Sequence, residues 1–166
     1  MLLALGLCAL VALSFAGCGG FTSRGATPPG GPRLTLRAGV RPRGGHIWRR
    51  AISVKPGSTI EHVIEFANVG SVGARGVHVR AGLRGHDRPV LASEYTKSMG
   101  VSVANQGPLA PGLFGKGVEV GRVPGGGSVK VITFATHVGR RSFSEPVELR
   151  WNGGVLRRRV HVAVRR

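Results

Sequence analysis

Pro56-Gly57-Ser58-Thr59-Ile60-Glu61-His62-Val63-Ile64-Glu65-Phe66-Ala67-Asn68-Val69-Gly70 reads as a turn, an alternating strand and a second turn. Pro56 presets φ for the first turn, and Gly57 is free to take positive φ. Ile60, His62, Ile64 and Phe66 share one parity, while Glu61, Val63, Glu65 and Ala67 share the other. That is the period of a strand with one face toward a core and one face mostly wet. Asn68 and Gly70 supply local hydrogen bonding and a permissive backbone where the strand ends.

The same period recurs on both sides. Ile52 and Val54 precede the Lys55-Pro56-Gly57-Ser58 turn. After the glycine-rich stretch from Asn68 to Gly76, Val77, Val79, Ala81 and Leu83 alternate with His78, Arg80 and Gly82. Further strands are expected at residues 101–104, 118–123, 129–137 and 147–151, within a chain whose residues 84–117 otherwise read as a long loop. Asn152-Gly153-Gly154 turns into a last strand over 155–164. There Leu156, Val160, Val162 and Val164 point inward, while Arg157, Arg159, His161 and Arg165 point out. Apolar residues nowhere recur at helical spacing over a normal helix length. Roughly seven short strands with turn chemistry between them predict an all-β fold, a single immunoglobulin-like antiparallel β-sandwich.

Several of these residues carry a family resemblance. Residues 56–70 resemble the opening of the conserved-repeat, immunoglobulin-like modules of bacterial surface proteins, where a Pro-Gly turn leads into an alternating strand ending in Asn-x-Gly. Val77-x-Val79 matches the next strand of that family. Val120-Gly121-Arg122-Val123-Pro124-Gly125, followed by Val129 to Phe134, is similar to its later Leu-x-Pro-Gly turn and strand. The resemblance spans Ile52 to Val138. It departs at His62, where Tyr or another hydrophobe is usual, at Ala81, where Asp is common, and in the 84–117 loop. It implies the sandwich fold and, by analogy, a spacer or adhesive role at a cell surface.

Ahead of the strands, an uncharged apolar run from Leu2 to Phe15 closes in Phe15-Ala16-Gly17-Cys18. It is shorter than the about 20 apolar residues of a spanning helix and reads as an export signal. The ending resembles bacterial lipoprotein signals, in which the cysteine after two small residues is acylated. Phe15 stands where that box usually has leucine, and no Lys or Arg precedes Cys18. The resemblance implies lipidation at Cys18 and an extracytoplasmic location, anchored to the cell membrane. Cys8 would leave with the signal, so the mature chain would hold no disulfide. The expected organisation is a signal peptide at 1–17, a lipidated basic linker rich in Gly, Pro and Arg at 18–46, and the sandwich at 47–166. Leu34, Leu36, Ala38 and Val40 alternate inside that linker as a candidate edge strand.

Charge is the other strong signal. Lys and Arg number 24 against seven acids, for a formal net charge of +17. Arginines 24, 33, 37, 41, 43, 49 and 50 form one stretch without an acid, and 150, 157, 158, 159, 165 and 166 form another. A GC-rich coding sequence with solvated arginines would produce the same composition. Read functionally, Arg37, Arg41, Arg43, Arg49, Arg50, Arg157, Arg158 and Arg159 are candidates for binding polyanions. The expected partners are the membrane itself, anionic wall polymers or another envelope protein. A single acyl chain holds a membrane only marginally, and each basic side chain near an anionic surface adds about 1 kcal/mol. Aromatic content of 5% gives little for stacking on single-stranded nucleic acid, so no specific nucleic-acid partner is expected.

Catalytic patterns are weak. Glu61-His62 with Glu65 would converge on a helix, but in a strand His62 and Glu65 point to opposite faces. His86-Asp87 with Ser93 and Glu94 falls in a segment that reads as loop and lacks a Gly-x-Ser-x-Gly elbow. Gly112 to Gly117 lacks the spacing of a phosphate loop. The expectation is a non-catalytic surface module with no metal, cofactor or small-molecule substrate. A secreted hydrolase or metal-dependent enzyme is the alternative.

Overall fold

The computed structural model describes residues 30–82, 88–98, 101–105 and 110–165, with backbone alone for 88–98, 101–105 and 110–111. Among the described residues, ten strands and one helical turn follow in order: β1 (Leu34–Pro42), β2 (Ala51–Val54), β3 (Thr59–Asn68), β4 (Ala74–Ala81), β5 (Arg88–Ser98), β6 (Val101–Asn105), α1 (Ala110–Phe114), β7 (Val118–Val123), β8 (Ser128–His137), β9 (Phe143–Trp151) and β10 (Gly154–Val164). They form two five-stranded sheets, β1-β3-β8-β5-β6 and β2-β10-β9-β4-β7. Called here the first and second sheets, they pack face to face. The pairings are antiparallel except for β2, which runs parallel to β10.

Alternation places the core as the sequence predicts. Ile60, Ile64 and Phe66 on β3 are buried, as are Val77, Val79 and Ala81 on β4 and Val160 and Val162 on β10. Gly57 sits at φ +79°, the left-handed turn conformation open to glycine. The last hairpin turns at Asn152-Gly153, with Trp151 opposite Gly154.

Two expectations need correction. The sandwich starts well before residue 47: β1 pairs with β3 from Leu34↔Asn68 to Pro42↔Ile60. Glycines and prolines around it suggest a tether, but the buried side chains of Leu34, Leu36 and Val40 hold it as an edge strand of the first sheet. Within residues 84–117, β6 falls where a strand is expected at 101–104, but β5 and α1 lie in the part that reads as loop. β5 continues the first sheet through its pairing with β8, interrupted by an irregularity between Pro89 and Leu91. The export signal, Cys18 and Arg24 lie outside the described residues.

The buried apolar residues fall into two clusters. One gathers Leu34, Leu36, Ile64, Phe66, Ile132, Phe134, Val147 and Leu149 with their neighbours. The other gathers Val40, Ile60, Val138, Val160 and Val162. Between them on three strands stand polar side chains: His62 between Ile60 and Ile64, Thr136 between Phe134 and Val138, and Glu145 between Phe143 and Val147. A buried polar layer therefore crosses the sandwich.

At the Leu34 end of the sandwich, Asn68 is fully buried and uses its whole amide. Its Oδ1 accepts from the backbone N–H groups of Arg33 and Gly70, each at 3.1 Å. Its Nδ2 donates to the carbonyls of Val72 at 2.8 Å and Val123 at 3.1 Å. One side chain thus ties together the entry to β1, the turn after β3 and the end of β7. Gly70 is required beside it, because a Cβ there would lie 2.7 Å from both the Arg33 nitrogen and the Gly31 oxygen.

Candidate functional site

Two groupings of polar side chains stand out: the buried layer and the outer face of the second sheet. In the layer, the His62 ring stacks on Phe134 with centroids 4.4 Å apart and 8° between planes. Its Nε2 lies 2.9 Å from Thr136 Oγ1. Its Nδ1 approaches Glu145 Oε2 to 3.0 Å, with side chains 2% and 1% exposed. That approach is off the axis of a hydrogen bond, which leaves Nδ1 and both carboxylate oxygens without one among the described residues. His62 faces inward and Glu65 outward, as the strand period requires, and Glu65 instead faces Arg37 at 3.6 Å. The couple thus lies almost wholly shut off from solvent between the two sheets.

The outer face of the second sheet carries a concentration of exposed charge. β10 presents Arg157, Arg159 and His161 there, β9 presents Glu148 and Arg150, and β4 presents His78 and Arg80. The register aligns them across the strands: Arg157↔Glu148, Arg159↔Pro146, Arg80↔Glu148 and His78↔Arg150. Two shallow concavities result. One, of about 430 Å³, is lined by Arg50, Pro146, Arg157, Arg158, Arg159 and His161. The other, of about 300 Å³, is lined by His78, Arg80, Lys116, Gly117, Glu148 and Arg150.

Glu148 separates the two. It accepts from Arg157 Nε at 2.7 Å and also pairs with Arg150. Partial burial works against its charge, but the hydrogen bonds from Arg157 and Arg150 and their positive charges outweigh it, holding its carboxyl below the ordinary range. A carboxylate depressed in the folded state contributes stability above its unfolded pKa, about 4.3, and loses that contribution as pH falls through the folded value. Glu148→Gln is therefore expected to lower the urea midpoint at pH 7, with its gap from the unsubstituted chain narrowing below about pH 4. A gap that stays constant down to pH 2 would show that the carboxylate gains nothing from these arginines.

The eight arginines proposed from the sequence do not form one patch. Arg50, Arg157, Arg158 and Arg159 meet around the larger concavity. Arg41 is occupied elsewhere: its Nε donates to Glu61 Oε2 at 2.7 Å, and its guanidinium lies 4.1 Å above the Trp48 ring. Arg37 faces Glu65 on the first sheet. Arg43 is exposed in the turn after β1, with its backbone N–H donated to Thr59. Arg49 exchanges backbone bonds with Val40 where the chain crosses from one sheet to the other. The sequence reading missed Arg80, Lys116 and Arg150 as members of the face. Parity marks Arg80 as outward, but only the strand order β10-β9-β4 brings it beside Arg150. Of the residues in the hydrolytic alternative, Ser93 lies on β5, while His86 and Asp87 lie outside the described residues.

No protein-family model and no curated protein sequence matches the chain. Solved structures do. The C-terminal domain of the Streptococcus pyogenes antigen I/II-family protein AspA superposes with a TM-score of 0.51 and 14% identity, over 78% of this chain and 46% of that one. The chain is an immunoglobulin-like β-sandwich. The C-terminal domain of the Streptococcus agalactiae AgI/II polypeptide BspA aligns with a TM-score of 0.49 and 12% identity, over 78% of the sandwich chain and 50% of its own. The sandwich thus spans about half the length of these solved domains. A GH20 exo-β-N-acetylglucosaminidase of Vibrio harveyi aligns over 18% of its length with a TM-score of 0.34 and 10% identity, too distant to bear on chemistry.

Proposed function

We propose that this sandwich is a non-catalytic module displayed outside the cytoplasm, anchored through an acylated Cys18, and that the outer face of its second sheet binds anionic polymers of the cell envelope. The observation that carries the reading is the convergence of Arg50, Arg157, Arg158 and Arg159 on one concavity and of Arg80, Lys116 and Arg150 on its neighbour. Most of these cations lie on strands, with Arg50 and Lys116 in the adjoining connections, so they meet a chain of repeating negative charges with little ordering still to be done. The likeness to an antigen I/II-family domain supports a surface setting, and the apolar run ending at Cys18 supports export. Lipid head groups present the same charge and are a natural second contact for a tethered basic module.

Electrostatic binding of this kind weakens steeply with salt. The Arg50→Gln/Lys116→Gln/Arg159→Gln triple variant alters cations without an acidic partner in the described residues. It is expected to elute from heparin and teichoic-acid resins at markedly lower salt than the unsubstituted chain, at unchanged thermal stability. Equal elution of the two would overturn the assignment of the face. Membrane fractionation of the full chain against Cys18→Ser tests the anchor separately: retention lost with the cysteine supports it, and soluble, unmodified protein in both cases rejects it.

A further inference from the structure

The edge of β10 is only half covered. β2 pairs with it at His161, Val162, Ala163 and Val164, and Arg50 just before β2 accepts the His161 N–H. On its other side β10 pairs with β9 along its length, from Gly154↔Trp151 to Val162↔Phe143. Backbone groups alternate in direction along a strand, so the N–H and C=O groups of Val155, Arg157 and Arg159 point the same way as those of His161. Among the described residues nothing pairs with them on that edge. Arg158 occupies part of the gap, its Nη1 donating to the Arg157 carbonyl at 2.8 Å. The larger basic concavity runs alongside, and Leu156 is half-buried at the rim of the core.

We infer that residues 155–159 of β10 form a docking edge for an extended acidic segment of another protein, added as a further strand in line with β2. Its backbone would meet the free groups of Val155, Arg157 and Arg159 over about 17 Å, five residues of strand. Its side chains would alternate: acids on the outer face against Arg157 and Arg159, apolar groups on the inner face over Leu156. Arg158 would release the Arg157 carbonyl to the incoming strand. A second copy of this chain does not fit the edge, because β10 against β10 sets arginines opposite arginines in a chain of net charge +17.

This binding mode goes beyond polymer binding by the sheet face and is separable from it. The probe is an acetylated seven-residue peptide alternating Glu and Val, compared with a scrambled peptide of the same composition and with one N-methylated at alternate backbone positions. With the full chain, the alternating peptide is expected to bind at least tenfold more tightly than either control and to slow hydrogen exchange at the amides of Val155, Arg157 and Arg159, leaving those of Leu156 and Arg158 unchanged. Val155→Pro removes one edge N–H without altering charge, so it is expected to weaken the peptide at least tenfold and leave elution from heparin where it was. Scrambled or N-methylated peptide binding within twofold of the alternating one, or no slowing at residues 155, 157 and 159, would overturn the inference. So would self-association of the chain through this edge. Because the N-methylated peptide is tested on the unsubstituted chain, the result stands even where Val155→Pro fails to fold.

Discussion

His62→Phe is expected to destabilise the sandwich by about 3–5 kcal/mol at neutral pH, the range for removing one member of a buried acid–base pair. Phenylalanine preserves the ring against Phe134, so the loss isolates the polar role of His62. Glu145 would remain 1% exposed on the inner face of β9 with its neighbouring imidazole gone. Its carboxyl group is shut off from water, so no solvent contact replaces the lost partner. Glu145→Gln removes the buried carboxyl group and keeps an amide that can bond the imidazole, so its cost should be smaller. The combined His62→Phe/Glu145→Leu/Thr136→Val variant replaces the whole layer with apolar side chains and should recover most of the stability. If His62→Phe is neutral, or the triple variant is as unstable as the single one, the layer is not a coupled unit.

Asn68→Asp is the second large effect, at about 3–5 kcal/mol. Only one atom changes, yet two donated hydrogen bonds disappear, and the Val72 and Val123 carbonyls then face a carboxylate oxygen instead of an amide. Each buried carbonyl left unpaired costs roughly 1–3 kcal/mol, and the repulsion adds to that. The N–H groups of Arg33 and Gly70 keep their acceptor, so the entry to β1 should stay bound while the end of β7 loosens. Hydrogen exchange would show this as faster exchange around Val123 with little change at Arg33. Uniform acceleration over the whole sandwich at modest cost would mean that Asn68 is one contact among many rather than the tie between three segments.

Asn68 also shows what was legible beforehand. The Asn-x-Gly element marked a strand end, and alternation through β3, β4 and β10 gave the inward and outward faces correctly, because a period of two leaves no freedom once one side is buried. Glu145 was not legible. Its parity matches Val147 and Leu149, but Pro146 interrupts the run and argues against a central strand. The sheet accepts this proline because the β4 ladder ends at Ala81↔Val147, after which the Pro146 carbonyl takes the Gly82 N–H. β1 was half legible: Leu34, Leu36, Ala38 and Val40 alternate as a candidate edge strand, while the composition around them says tether, and long-range pairing with β3 decides between the two. The charged face was half legible. Outward parity follows from the residues, whereas neighbourhood across the sheet follows from strand order, which no local pattern contains.

The course of β1 and β10 across the two clusters has a mechanical corollary. β1 packs Leu34 and Leu36 in the cluster that holds Leu149, and Val40 in the one that holds Val160 and Val162, so the polypeptide enters the sandwich at one pole and leaves β10 at the other. Tension between an anchor upstream and an attachment downstream would run along the strand axes. β1 would have to slide past β3 as a whole, with the rungs from Leu34↔Asn68 to Pro42↔Ile60 sharing the load rather than opening one at a time. Resistance to force in such a geometry is set by the rate of unfolding, not by equilibrium stability, so a strand that composition reads as slack tether becomes the clamp that bears the pull.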